Sequence, residues 1–520
     1  MLQGTEVLTT AQMRAIESAA MASGQVTGLD LMERAGKAVV AAILRKWPDY
    51  ETHPEGRPHR AIVLCGPGNN GGDGFVVARL LAGKGWQVQV DLLGEAERLP
   101  PDARANHDRW CGIGAVRPII ADVGYTYQAE LMVDALFGIG LSRPLANNLW
   151  GVFDGIHDAV NNLFCGPKSP GVDHVVAIDV PSGLCADSGR LLADSDLHVW
   201  GADLTVTFQT LKPGHLLSDG PPLCGEVVVA PLGLAWAPSE PRCHQVTSGQ
   251  VAKRGGHKFD HGSALVIAGP SSHGGAARLS ARAALRIGAG LVTIAPPQDA
   301  LPEHSGQPDA LMRRAINDGV ALRDMLADTR INAICIGPGC GIDRATALLA
   351  EVLPARRSTV LDADALTALS RDAGLMATLH GNCVLTPHLG EFARLFPDLA
   401  ERLAETPTKG PAYSKLDAAR EAAARCGAVV LLKGPDTVIA HPDGRACIHS
   451  AFDIPWLATA GAGDVLAGII TGLLARGFQP LEAASLGTLI HAKAARAFGP
   501  GLIADDLPEM IPQVLRDMGA

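Results

Sequence analysis

Three stretches in the first half of the chain set acids and amides beside runs of glycine, where backbone can meet a charged small molecule. Gly66-Pro-Gly-Asn-Asn-Gly-Gly-Asp-Gly74 has five glycines in nine residues. Its backbone N–H groups can approach an anionic ligand closely, and Asn69, Asn70 and Asp73 add oxygens. The spacing is neither the dinucleotide-binding G-x-G-x-x-G nor the P-loop G-x-x-x-x-G-K-[ST]. Val133-Asp134-Ala-Leu-Phe-Gly-Ile-Gly-Leu-Ser142 and Ala177-Ile-Asp179-Val-Pro-Ser182-Gly-Leu184 repeat the theme. Alone, each reads equally well as a turn with a capping Asp. Three in succession, each after a predicted strand, favour a ligand site, because open α/β sheets bind ligands at strand ends.

In the second half, Thr459-Ala-Gly-Ala-Gly-Asp464 opens a predicted helix. Small residues there bare backbone N–H groups to a phosphate. An adjacent Asp can take a proton from a hydroxyl that attacks that phosphate. Its companions are Gly275-Ala-Ala-Arg-Leu279, Gly337-Pro-Gly-Cys-Gly341, Asp362-Ala-Asp364, Thr386-Pro-His-Leu-Gly-Glu391 and Lys433-Gly-Pro-Asp-Thr437. His257 and His261 are four apart, but the surrounding glycines deny a helix and no third ligand is near, which argues against zinc. Lys253, Arg254, His257 and Lys258 form a small basic cluster, open to a phosphate contact on a mobile loop or to a solvated face.

These residues need strands and helices to hold them. Thr9 and Gln12 form a capping-box pattern before an apolar stripe, and a second helix is predicted over Leu29–Trp47. Strand Ala61–Cys65, the glycine-rich loop, helix Phe75–Ala82 and strand Val88–Leu93 make a βαβ unit. Further strands fit Leu131–Ala135, Val175–Val180, Leu204–Phe208 and Glu226–Val229. Residues 235–250, with two prolines and no strong period, read as a linker. A second α/β series follows, with strands at Ala264–Ala268, Leu291–Ala295, Ala333–Ile336, Thr359–Leu361, Cys383–Leu385, Val429–Lys433 and Thr437–Ala440. Helices fit Ala276–Ile287, Leu416–Arg425, Gly463–Arg476 and Leu481–Ala497. The alternation predicts a doubly wound α/β domain over 1–240 and a second, different α/β domain over 241–520.

Composition agrees. Of 520 residues 47% are hydrophobic and 19% charged, which excludes global disorder. Acids outnumber bases 54 to 44, which disfavours a nucleic-acid binder. Eleven scattered cysteines without a C-x-x-C pair read as reduced thiols of a cytoplasmic protein. Glu6, Arg14 and Glu17 near the start predict no signal peptide. The apolar run Val465–Ala475 is too short to span a bilayer, so no membrane partner is expected.

Gly66–Gly74, Asp134–Leu141 and Asp179–Gly183 resemble the epimerase domain of the NAD(P)H-hydrate repair proteins, which is Rossmann-like and three-layered. Thr386–Glu391, Lys433–Gly434 and Gly461–Asp464 resemble the ribokinase-like NAD(P)H-hydrate dehydratase. Together the resemblances cover nearly the whole chain, in the order of the bifunctional bacterial repair enzymes. They imply an isomerase fused to a lyase that interconverts R and S NAD(P)HX and dehydrates the S form, converting ADP to AMP and phosphate.

The resemblance assigns Asn69, Asn70, Gly71, Gly72, Asp73, Gly138, Ile139, Gly140, Leu141, Ser142, Arg143 and Pro144 to the hydrate. It assigns Asn70, Asp134 and Ser182 to potassium. Asp179 is matched to the substrate-contacting acid and is the candidate for proton transfer. In the second domain Ala276, Gly339, His388 and Asp464 would contact the hydrate, with Asp464 catalytic. Lys433, Gly434, Pro435, Asp436, Thr437 and Gly463 would contact the adenine nucleotide, ADP rather than ATP, with magnesium. Ile139 stands where the family has Thr, and Ala462 where Thr or Ser is common. NADHX and NADPHX are the implied partners, and a homo-oligomer is expected. The alternatives are a ribokinase-like small-molecule kinase with an N-terminal regulatory domain, and a binding protein.

Overall fold

The structure is a computed structural model that describes residues 2–52, 57–119, 129–145, 171–192, 199–235, 240–253 and 255–520. Arg254 of the basic cluster, Cys165 and linker residues 236–239 lie outside the described residues. The strands in chain order are β1 Leu2–Glu6, β2 Arg60–Cys65, β3 Gln87–Leu93, β4 Val116–Ile119, β5 Ala129–Ala135, β6 Val172–Ile178, β7 Leu204–Phe208, β8 Glu226–Ala230, β9 Cys243–Gly249, β10 Ser263–Ile267, β11 Leu291–Ala295, β12 Met312–Arg313, β13 Ile331–Ile336, β14 Ser358–Leu361, β15 Cys383–Leu385, β16 Val429–Leu432, β17 Asp436–Ala440 and β18 Ala446–Ser450. They form two compact units. One comprises Glu6–Ser239 with Thr406–Ser414; the other comprises Met1–Thr5, Glu240–Glu405 and Lys415–Ala520.

The first unit is built on a seven-stranded sheet of order β4-β3-β2-β5-β6-β7-β8, parallel throughout. Alternate residues serve opposite faces. Ala61, Val63 and Cys65 join one apolar core, while Ile62 and Leu64 join another. Both faces are therefore covered, which is why these strands read as continuous apolar runs. The strand order reverses between β2 and β5, and at such a switch point the loops diverge and leave a crevice.

The glycine-rich stretch is not the loop expected from the sequence. Its residues from Asn69 onward are already helical, in Asn69–Gly83. The glycines are there for close packing. A Cβ on Gly72 would lie 2.5 Å from Met32 Sδ and 3.0 Å from Ala103 Cα, and one on Gly74 would lie 2.7 Å from Ala135 Cβ. Gly68 caps this helix with open space around it and no side-chain capping bond, so the helix start is left bare.

The second unit carries an eleven-stranded sheet of order β1-β9-β18-β17-β16-β15-β14-β13-β10-β11-β12. From β12 to β16 the pairing is parallel; β17 is antiparallel to both its neighbours. Part of the expected linker is thus a strand: Cys243–Gly249 pairs with β18 as β9. Its apolar residues are few, and the strand exists because β18 offers an edge; context outweighs local propensity. The apolar run at Val465–Ala475 lies within a buried core helix, Ala462–Ala475. It packs on the helix Gly274–Arg286 so closely that a Cβ on Gly468 would collide with the Ser280 carbonyl oxygen. No helix among the described residues is long and apolar enough to cross a membrane.

Candidate active sites

A cleft of about 560 Å³ opens at the β2/β5 switch point. Asn69, Asn70, Asp73, Gly138, Ile139, Gly140, Leu141, Ser142, Arg143 and Asp179 line it, together with Arg14 and Glu17 of the helix Thr10–Ala22. Gly71 and Gly72 are buried in helix packing behind it, and Pro144 lies outside its lining. The segment Thr406–Ser414 supports one wall. The Gly410 N–H donates to the Ser142 carbonyl at 2.9 Å, and Ala412 packs on Cys185 and Leu192.

Beneath the cleft, Asp134 and Ser182 are buried and joined. The Ser182 hydroxyl donates to Asp134 Oδ1 at 2.6 Å, and its N–H donates to Oδ2 at 2.8 Å. Burial pushes the Asp134 carboxyl up despite these bonds. Asn70 Nδ2 is buried with no hydrogen-bond partner, and the Asn70 carboxamide lies against Gly138. The Asn70 carboxamide oxygen, the desolvated Asp134 carboxylate and the Ser182 hydroxyl are oxygen ligands of the kind that fits a hard monovalent cation.

Asp179 follows β6 with φ at 69°, in the left-handed region that costs a non-glycine residue conformational energy. Its surroundings hold it there. Lys212 is wholly buried, and its Nζ donates to Asp179 Oδ1 at 3.1 Å and to Thr207 Oγ1 at 2.8 Å. Thr207 Oγ1 donates to the same carboxylate oxygen at 2.8 Å. His215 Nδ1 accepts the Lys212 N–H at 2.9 Å, leaving its Nε2–H to donate to the Asp179 carbonyl at 2.8 Å. Burial, reinforced by Lys212, lowers His215 to about 4, so it is a neutral strut. Burial and the charge of Asp179 raise Glu17, and burial with Asp179 and Glu17 raises Asp73.

The second constellation gathers at the ends of β10, β13, β14, β15 and β16. A Cβ on Gly339, which has φ at +60°, would lie 2.5 Å from the His273 carbonyl and 3.4 Å from Ala276 Cβ, so Ala276 and Gly339 are neighbours at the β10/β13 switch point. Asp364 accepts the Gly341 N–H at 2.8 Å. Lys433 Nζ reaches Asp362 at 2.8 Å and Glu391 at 3.7 Å. It also lies 3.4 Å from where a Cβ on Gly463 would be. His388 caps the helix Leu389–Leu395 and keeps an exposed ring. Burial, then Asp362, lifts the Asp464 carboxyl to about 6 against the pull of Lys433. Gly434 and Pro435 are exposed, whereas the Asp436 side chain is tied to Lys415 Nζ at 2.6 Å and Thr437 Oγ1 to the Gly434 carbonyl at 2.7 Å. Any ligand at this turn meets mainly backbone. His257 and His261 lie in a 3-10 turn and its cap, and no group of three or more His, Cys, Asp or Glu side chains placed to hold a metal ion occurs among the described residues.

Sequence reasoning missed Arg14, Glu17, Thr207, Lys212, His215 and Lys415. Lys212-Pro-Gly-His215 follows the predicted strand Leu204–Phe208, and a charged residue after a fourth strand end was the available signal. Arg14 and Glu17 face the cleft from the helix Thr10–Ala22, whose sequence signals are a capping box and an apolar stripe.

Two family models match the chain: YjeF-related protein N-terminus over residues 28–214, and NAD(P)H-hydrate dehydratase over residues 264–513. The bifunctional NAD(P)H-hydrate repair enzyme of Moorella thermoacetica is 35% identical, over 98% of this chain and 97% of that one. The NAD(P)H-hydrate epimerase of Rhodobacter capsulatus is 49% identical over 44% of this chain and its own whole length. Among solved structures, the ADP/ATP-dependent NAD(P)H-hydrate dehydratase of Bacillus subtilis, co-crystallised with ATP and Mg2+, has a TM-score of 0.43 at 28% identity, covering 51% of this chain and 93% of that one. Two sites at two switch points, in a chain matched along its length, give the conclusion: the protein belongs to the family of bifunctional NAD(P)H-hydrate repair enzymes.

Proposed function

We propose that the chain repairs hydrated nicotinamide dinucleotides in two steps, with residues 1–240 epimerising R and S NAD(P)HX and residues 241–520 dehydrating the S form at the expense of ADP. The observation that carries this is the pairing of a carboxylate-lined cleft in one unit with a bare, acid-flanked helix start in the other. In the first site the hydrate occupies the cleft between the start of the helix Asn69–Gly83 and the Gly138–Pro144 loop, with Asp179 moving a proton at C6. Asn70, Asp134 and Ser182 would hold a potassium ion, which would supply a fixed positive charge to an anionic substrate. In the second site Asp464 takes the proton of the C6 hydroxyl as that oxygen attacks the terminal phosphate of the nucleotide. The N–H groups at the start of the helix Ala462–Ala475 and Lys433 stabilise the charge that develops. Phosphate then leaves from C6 as the ring nitrogen lone pair forms a C6=N1 bond, and loss of a proton from C5 returns the ring double bond. Ala276, Gly339 and His388 would contact the hydrate, and Gly434, Pro435 and Gly463 the nucleotide. Magnesium carried by the nucleotide would neutralise phosphate charge.

The test is incubation of mixed-epimer NADHX with the full chain and ADP or ATP, following recovery of the near-ultraviolet absorbance of NADH and release of phosphate. Recovery of NADH from both epimers supports the reading. A phosphorylated product that accumulates without NADH would instead make the protein a small-molecule kinase.

A further inference from the structure

The cleft holds more proton-handling groups than Asp179. Glu17 and Arg14 sit one turn apart on the helix Thr10–Ala22, Asp73 comes from the helix Asn69–Gly83, and all three line the cleft with Asp179. The carboxylates are not equivalent. Asp179 has a buried ammonium and a hydroxyl on one of its oxygens, from Lys212 and Thr207. Among the described residues the other acceptors of the Lys212 Nζ are Thr207 Oγ1 and the carbonyls of Phe208 and Thr210, all without charge, so its charge is directed at Asp179. His215 is neutral, and Arg14 is exposed. One buried cation cannot offset three neighbouring carboxylates; like charges in a desolvated site keep a proton among them. Lys212 and Thr207 donate to Asp179 alone of the three, whereas burial and the neighbouring carboxylates push Glu17 and Asp73 up.

We propose that Glu17 and Asp179 form the acid–base pair of epimerisation, Asp179 exchanging a proton with the C6 hydroxyl and Glu17 with the ring nitrogen, while Lys212 and His215 act as positioning residues for Asp179. This rests on the epimerase reading above. In the opening step Asp179 removes the hydroxyl proton, the oxygen electrons form the C6 carbonyl, and the C6–N1 bond breaks. N1 takes the proton of the Glu17 carboxyl. After rotation about C5–C6 the nitrogen attacks the other face of the carbonyl. Glu17 recovers its proton from N1, and Asp179 returns its own to the oxygen. No atom or electron is gained or lost, and no co-reactant is needed.

The experiment uses the full chain and the R epimer of NADHX without nucleotide, with R-to-S conversion followed by chromatography between about pH 6 and pH 9. Glu17→Gln is expected to lower kcat by about 10²–10⁴-fold with little change in KM, and Glu17→Asp to recover part of the loss. Lys212→Met is expected to move the acid limb of the pH–rate profile up by about 1–3 units, because Asp179 loses its cation, with rate recovered at high pH. Nucleotide-dependent dehydration of the S epimer, unchanged in each variant, reports an intact chain. Parent-like conversion by Glu17→Gln across the pH range overturns the pair. An unshifted limb in Lys212→Met overturns the positioning role. A parent chain that does not convert R to S removes the epimerase reading itself, and the pair falls with it.

Discussion

Replacing Asp464 with Asn keeps side-chain volume and removes a base, and the structure assigns the change two opposite consequences. Burial and the acids Asp362, Asp364 and Glu391 hold this carboxyl at about 6, against an ordinary 3.8. At pH 7 the group is still about nine-tenths ionised and able to accept a proton. Loss of a general base costs about 10²–10⁴ in rate, or ~3–5 kcal/mol of barrier. The same shift carries a stability cost. A carboxyl whose folded pKa is raised holds its proton more tightly in the native state. The domain is therefore destabilised progressively from about pH 4 to about pH 6, and by a constant amount above that. Two pH units correspond to on the order of 3 kcal/mol, a ceiling because the group is part-exposed and Lys433 loses a neighbour in the variant. Asp464→Asn should thus be inactive in dehydration yet no less stable than the parent at pH 7. Parent dehydration should fall about tenfold per pH unit below pH 6. Single-turnover dehydration, its pH dependence in the parent and thermal denaturation measure the three quantities. Parent-rate dehydration, or a clear loss of stability, would refute the reasoning, since either means that Asp464 serves only to cap its helix.

Three further outcomes follow from the geometry. Potassium chloride, compared with choline chloride, should raise the thermal midpoint of the parent but not of Asp134→Ala; an equal response in both would remove the cation from Asn70, Asp134 and Ser182. Gly468→Ala should cost about 1–3 kcal/mol in chemical denaturation, because its methyl meets the Ser280 carbonyl in the contact between the helices Ala462–Ala475 and Gly274–Arg286; an unchanged midpoint would contradict that packing. Residues 1–240 alone should epimerise without nucleotide but lose activity at a lower temperature than the full chain, since Thr406–Ser414 no longer covers Cys185 and Leu192; a fragment as heat-resistant as the full chain would show that this cover contributes nothing.

The strand-end acids were legible in sequence for a physical reason. Parallel strands covered on both faces are short apolar runs, so Asp134 and Asp179 stand out at or just beyond their ends. The same holds for Asp362 after β14 and Lys433 after β16. What sequence did not carry was burial set by distant partners. Lys212 sits in a polar, proline-containing stretch that reads as exposed loop, yet four oxygens, from Asp179, Thr207, Phe208 and Thr210, make its burial possible. Glycines at 71, 72 and 74 signal a flexible loop by composition, whereas here they let the helix Asn69–Gly83 approach its neighbours. β9 escaped because Cys243–Gly249 has almost no apolar alternation; it is a strand only because β18 has an edge to fill.

The most direct test of two coupled activities in one chain starts from pure R-NADHX. With ADP present, complete conversion to NADH is expected, with one phosphate released per ring. With ADP withheld, a mixture of R and S hydrates and no NADH is expected. R-NADHX left untouched under both conditions, or NADH formed without any nucleotide, would contradict that coupling.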